Sequence, residues 1–262
     1  MHTMILVRRV VLTLVAALAV LVGATTAEAA NPVVAAAKRT AEARSSVFDM
    51  QMKVEAAGAT VAITGSGAMR GQDTAKLTMR TSGAGTTVAF DMLMLREAGR
   101  IVMYMRSPAF GASLPAGKTW MRLDLDRAAA QLGLDYSELI ETSRTLGPLE
   151  HGIVSTTRVG TAAVAGKPTT RYKVVIDTKR AAKAVPAFAK QLRTIERAGV
   201  RLPRMTEDVW VGGDGRIRRV GVAFPFVQQG ARATSSMTMT FRAYDVPVAV
   251  SAPPREQVFD FR

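Results

Sequence analysis

The chain has 262 residues, with 35 Lys and Arg against 21 Asp and Glu, a formal charge of +14, and no cysteine. The lack of cysteine excludes disulfides, a thiol nucleophile, a thiolate metal site and lipid attachment through a thiol. Aromatic residues make up 6% of the chain, too few and too scattered for a platform on which nucleic-acid bases could stack.

Arg8 and Arg9 precede an apolar run from Val10 to Val22, and Ala27-Glu28-Ala29 follows. A basic segment, a short apolar segment and an Ala-x-Ala site form a secretory signal, so residues 1–29 are read as a signal peptide and 30–262 as one domain. The apolar run is shorter than the ~20 residues of a spanning helix; retention as an N-terminal anchor is the alternative. The expected location is the cell envelope (the periplasmic space) or the exterior, soluble after cleavage. There, anionic head groups and envelope polymers would be the natural partners of a basic chain. An Ala- and Arg-rich composition that raises charge without any partner is the plainer reading.

Asn31 can cap a helix and Pro32 suits its first turn, with Val33, Val34 and Ala37 on one face. From Ser45 to Ala57 the pattern becomes strict alternation, with Phe48, Met50, Met52 and Val54 facing one way and Asp49, Gln51, Lys53 and Glu55 the other. A second strand runs from Thr60 to Arg70, with a bulge expected at Gly65-Ser66-Gly67. Ala75 to Thr81 follows, with Leu77 and Met79 inward. Then comes a hairpin over 86–106, turning at Glu97 to Arg100. Val88, Phe90, Met92 and Met94 alternate on the way in, and Ile101, Met103 and Met105 on the way out.

Ser107 to Gly117 reads as an irregular loop. Lys118 to Leu123 is a short strand carrying Trp120. Asp124 or Asp126 can cap a short helix, and Asp135 with Glu138 resembles a capping box ahead of an apolar stripe of Leu139, Ile140 and Leu146. Ile153–Val164 and Thr169–Asp177 form another hairpin. Thr178 to Ala198 is helical and restarts at Pro186. Arg204–Val211 and Arg216–Phe224 pair across a glycine-rich turn. Ala233 to Tyr244 is the last long strand, with Met237, Met239 and Phe241 alternating, and a proline-rich extended tail follows. Nine or ten antiparallel strands and three or four helices, without a βαβ rhythm, predict an α+β fold: one large curved antiparallel sheet with helices over one face.

No constellation for enzyme chemistry is present. His151 is the one histidine beyond the signal segment, and with no cysteine a zinc site is not expected. Ser66 lacks a nucleophile-elbow context. Glu207 and Asp208 are neighbours on a strand, so they face opposite ways and cannot form a carboxylate pair. No cofactor, no metal and no catalysis are expected.

What remains is methionine. Nine of the fourteen methionines (50, 52, 79, 92, 94, 103, 105, 237 and 239) occupy alternating strand positions. Methionine is flexible and polarizable, and it suits surfaces that accept varied apolar partners. Two readings stand at this point: a packed core with methionine as filler, or the wall of a pocket for acyl chains. Burying a chain of about fifteen methylenes would contribute roughly 12 kcal/mol before ordering costs.

Several stretches resemble the LolA-like half-barrel proteins, and among them the actinobacterial LppX/LprG-type envelope lipoproteins. They are the first helix leading into Ser45-Ser46-Val47-Phe48, and Lys118-Thr119-Trp120-Met121 before Asp124-Leu125-Asp126. Gly160 to Asp177, with Val164 through Tyr172, is another; so is Leu202-Pro203 through Asp208-Val209-Trp210-Val211 to Asp214-Gly215-Arg216. The closing Tyr244 to Val248 with Ala252-Pro253-Pro254 completes them. The resemblance implies an antiparallel half-barrel whose concave face, lidded by helices, holds acyl chains. It implies carriage of lipids or lipidated molecules in the envelope, without catalysis. This chain departs from the lipoproteins in lacking the lipid-bearing cysteine, which favours a soluble carrier.

The expected ligand wall is therefore Phe48, Met50, Met52, Val54, Leu77, Met79, Val88, Phe90, Met92, Met94, Ile101, Met103, Met105, Met237, Met239 and Phe241. Trp120, Leu139 and Ile140 are expected at the mouth or lid. The expected ligand is a lipid or acyl chain, and the carrier is expected to act as a monomer. The alternative is a sensor or regulatory module of the same fold that binds an envelope protein or an anionic membrane surface. Leu93 and Leu95 are apolar on the face opposite Met92 and Met94, so that second face also needs cover.

Overall fold

A computed structural model describes residues 31–131, 151–197, 204–228 and 231–261, apart from 57, 72 and 84. The signal segment and the stripe containing Leu139 and Ile140 lie outside the described residues. Helix α1 (Pro32–Ala41) begins as expected: the Asn31 side chain accepts from the Val33 N–H at 3.0 Å, and Pro32 occupies the first turn.

Six strands then follow: β1 (Ser45–Ala56), β2 (Ala59–Arg70), β3 (Thr74–Gly83), β4 (Thr86–Glu97), β5 (Arg100–Arg106) and β6 (Trp120–Asp124). Each pairs antiparallel with the one before it. Short helix α2 (Leu125–Gln131) starts at Asp124, whose carboxylate accepts from the Arg127 N–H at 3.1 Å. A second run contains β7 (Ile153–Val164), β8 (Lys167–Asp177), helices α3 (Thr178–Ala184) and α4 (Pro186–Arg197), β9 (Arg204–Gly212), β10 (Ile217–Gln228) and β11 (Ala231–Tyr244). Strands β7 to β11 again pair in sequence.

The two runs are joined at one seam. Strand β1, first of the first run, pairs antiparallel with β11, last of the second, from Ser46 opposite Tyr244 to Ala56 opposite Ala233. Among the described residues, and with β12 (Val258–Asp260) at one edge, the result is a single open sheet of twelve strands in the order β12-β6-β5-β4-β3-β2-β1-β11-β10-β9-β8-β7. It is the large, mostly antiparallel sheet that the alternation predicts, and it agrees with the half-barrel that the resemblance implies.

Two expectations are corrected here. Gly65-Ser66-Gly67 is no bulge, because the register runs unbroken on both sides of β2. The glycines are there for space. A Cβ at Gly67 would lie 2.7 Å from the Phe48 ring, and one at Gly65 would lie 2.9 Å from the Met79 side chain. The tail is not simply extended either. After Tyr244 it crosses to the far edge, where β12 (Val258–Asp260) pairs parallel with β6.

The faces of the sheet differ. Helix α1 lies on the inner face, with Val33, Ala36 and Ala37 buried against it. The outer face carries cross-strand ion pairs, among them Arg106–Asp91 at 2.6 Å, Arg171–Asp208 at 2.9 Å and Arg242–Asp49. Such half-exposed pairs contribute little each, but they mark which side faces water.

Candidate functional site

In an antiparallel sheet, directly paired residues share a face. The register can therefore be read across the sheet in rows. One row is Phe241, Phe48, Gly67, Leu77, Met92, Met105 and Met121, across β11, β1, β2, β3, β4, β5 and β6. The next is Tyr172, Val209, Val220, Met239, Met50, Gly65, Met79 and Phe90, across β8 to β11 and β1 to β4. A third is Thr156, Val174, Glu207, Val222, Met237, Met52, Ile63, Thr81 and Val88. Met94 and Met103 pair on the same face, and Ile101 lies two residues from Met103. The expected strand residues are thus brought together on one continuous apolar surface.

That surface has two halves. Over β8 to β11 and β1 it is packed. Met50, Val174, Val209 and Ile217 are almost wholly buried, and the Phe48 and Phe241 rings meet at 6.3 Å, tilted by 59°. Helix α1 closes this half. At its start the Asn31 side chain donates to the Thr156 hydroxyl on β7 at 2.7 Å. At its end the Thr40 hydroxyl accepts from the Ile217 N–H on β10 at 2.9 Å and donates to the Ala36 carbonyl. Over β3 to β6 the surface is mixed: Met79, Ile101 and Met103 are buried, whereas Leu77, Val88, Phe90, Met92, Met94, Met105 and Met121 are half-buried. Phe90 meets Phe110, from the short 3-10 turn after β5, at 6.1 Å.

Trp120 is not at the mouth of this surface. It pairs with Val258 and lies two residues from Arg122, which pairs with Tyr104 on the outer face, and it packs with Val102 and Tyr104 in a separate buried cluster. Leu93 and Leu95 join that cluster, and Val258 of β12 closes it. The returning tail is thus the cover that the outer apolar residues require. The Arg106 guanidinium lies over the Trp120 ring at 4.7 Å and caps the cluster towards solvent.

The inner residues on β8, β9 and β10 were not among those expected from the sequence: Val174, Ile176, Met205, Val209, Val220 and Val222. They alternate like the others, but β8 and β10 carry no methionine to single them out. One side chain among them is of a different kind. Glu207 lies between Val174 and Val222 in the third row and is 3% exposed. Its neighbour Asp208 points outward and is held by two hydrogen bonds from Arg171, at 3.0 and 2.9 Å. Glu207 has no hydrogen bond or ion pair with any described residue. Desolvation alone raises its carboxyl from 4.5 to about 7. The other buried charged residue among those described, Arg218, donates to Asp214 through Nη2 at 2.5 Å and stacks over Tyr244, while its Nε is buried without a partner.

No family model and no curated protein matches the chain. Among solved structures, it is similar to lipoprotein LppX of Mycobacterium tuberculosis, at 14% identity, 84% of this chain, 96% of that chain and a TM-score of 0.47. It is also similar to LprF of Mycobacterium bovis, at 14% identity, 84% of this chain, 93% of that chain and a TM-score of 0.45. A LolA superfamily protein from Nitrosomonas europaea is similar at 9% identity, 80% of this chain, 92% of that chain and a TM-score of 0.27.

A notch of about 280 Å³ sits at the β5–β6 edge, lined by Arg100, Arg122, Asp124, Arg127, Asp260 and Phe261. Its charged lining and edge position set it apart from the methionine face. Among the described residues, no group of three or more His, Cys, Asp or Glu is placed to hold a metal ion. No helix among them is long and apolar enough to cross a membrane.

Proposed function

We propose that this protein is exported to the cell envelope, where it holds an acyl chain of a lipid or lipidated molecule against its inner sheet face, and that it does so without catalysis. One observation carries the reading. The apolar face is continuous across the sheet, and on its β3–β6 half seven inward side chains stay half-buried beside the buried Met79, Ile101 and Met103; five of those seven are methionines or leucine. Thioether side chains adjust to the shape of an apolar guest at low cost. A chain of about fifteen methylenes laid there would gain roughly 12 kcal/mol from burial, before ordering costs.

The test is mass spectrometry of solvent extracts from the protein purified from its own host. A stoichiometric lipid is expected, and Met92→Asp with Met94→Asp should purify without it. A wild-type protein that carries no lipid and takes none from vesicles would overturn the reading.

A further inference from the structure

We propose that Glu207 is a polar anchor in the ligand face and receives a hydroxyl group borne by an otherwise apolar chain. The inference rests on the reading of that face as a ligand wall and names the chemistry of the ligand more closely.

The placement is specific. Glu207 is set by register between Val174 and Val222, with Met205 and Val209 two residues away along its own strand. All four of these neighbours are buried apolar side chains. The row that contains Glu207 continues without another charged residue through Val222, Met237, Met52, Ile63 and Thr81 to Val88 on β4. At about 4.8 Å between strands, six spacings separate Glu207 from Val88, on the order of 29 Å. A chain lying along part of this row would bring a hydroxyl to the carboxyl.

Valine or leucine would serve at this position if it were only core. A carboxyl here, almost wholly buried and with no described residue donating to it or accepting from it, is a polar group without a protein partner among the described residues. Kept protonated by burial, a carboxyl both donates and accepts. A hydroxyl matches it on both counts, whereas a plain hydrocarbon leaves it unpaired. Access is also provided for. The side chains that would have to yield include Met205, Met237 and Met52, which are unbranched and can swing, rather than aromatic rings.

The experiment compares binding of stearate, 12-hydroxystearate and 18-hydroxystearate to the full chain, in wild type, Glu207→Gln and Glu207→Leu. Wild type should bind at least one hydroxylated chain about tenfold more tightly than stearate, the worth of one buried hydrogen bond. Glu207→Gln, which can still donate and accept, should keep most of this preference. Glu207→Leu should lose it while binding stearate at least as well. Difference infrared spectra supply a measurement on the wild type alone: the protonated carboxyl band should shift with the hydroxylated chain but not with stearate, and it should be absent in Glu207→Gln. A purely structural carboxyl would not respond in this way. Chains that all bind, with no hydroxyl preference and no band shift, would overturn this inference and leave lipid binding standing. No binding of any chain would overturn both.

Discussion

At the scale of single residues, two positions show how the apolar face is composed. Gly67 is a spacer: the Phe48 ring occupies the place its side chain would take, with a Cβ to Cζ separation of 2.7 Å. Gly67→Ala should therefore overpack the face and cost about 1–3 kcal/mol, read as a lower urea midpoint with an unchanged slope. Glu207 is the opposite case, a polar group kept where an apolar one would fit. Burial raises its carboxyl to about 7 from 4.5. The folded protein then holds its proton across a range in which the unfolded chain has released it. Stability from this group is complete below about 4.5 and declines as pH rises to about 7, by roughly 3 kcal/mol in total. Glu207→Gln removes that slope. Its stability relative to wild type should rise between pH 4.5 and pH 8 in denaturant titrations. A difference that stayed constant over the window would mean that Glu207 is ionised and paired.

At the scale of elements, the returning tail decides the fate of the second apolar face. Val258 on β12 packs on the cluster of Val102, Tyr104 and Trp120, and the Thr119 N–H donates to the Gln257 carbonyl at 2.9 Å to align the parallel pair. Val258→Asp would put a charge against that cluster. In a Trp210→Phe background, Trp120 emission should shift to the red and the melting temperature should fall, while the inner face remains able to bind a fluorescent acyl probe. An unshifted spectrum would mean that β12 does not cover Trp120. This element also shows where reading the sequence stopped short. Leu93 and Leu95 signal that the outer side of β4 needs cover, but nothing local in the proline-rich tail says that Val258 to Asp260 supplies it. The sequence places Trp120 at the mouth or lid for a related reason: a five-residue strand has too few alternations to show which side joins the methionine wall.

At the scale of the whole molecule, two meanders of neighbouring strands are sewn together by β1 and β11. The seam makes one surface of two, so methionines at 50 and 52 stand directly opposite those at 239 and 237. The chain is also strongly basic, with a formal charge of +14. Binding to anionic vesicles at low ionic strength should weaken steeply as salt rises above about 0.1 M, and neutral vesicles should bind less. Carriage adds a requirement: the protein should move labelled acyl chains between vesicles. Salt-sensitive docking with no transfer would favour the alternative role, recognition of a membrane surface or an envelope partner.

Sequence alone determined which side of most long strands is apolar and which strands are hairpin neighbours. Those properties arise from period-two geometry and tight turns, and they act over a few residues. Phe48, Met50 and Met52 could be placed on one face, and Glu207 could be separated from Asp208, before any fold was known. Only the tertiary structure decided the β1–β11 seam, the return of β12 to β6 and the position of Glu207 in the middle of an apolar row beneath the helix-covered half. Pairing between distant segments has no local signature. It is selected by the burial that the whole sheet achieves at once, and that burial separates a filled core under α1 from the more open methionine wall over β3 to β6.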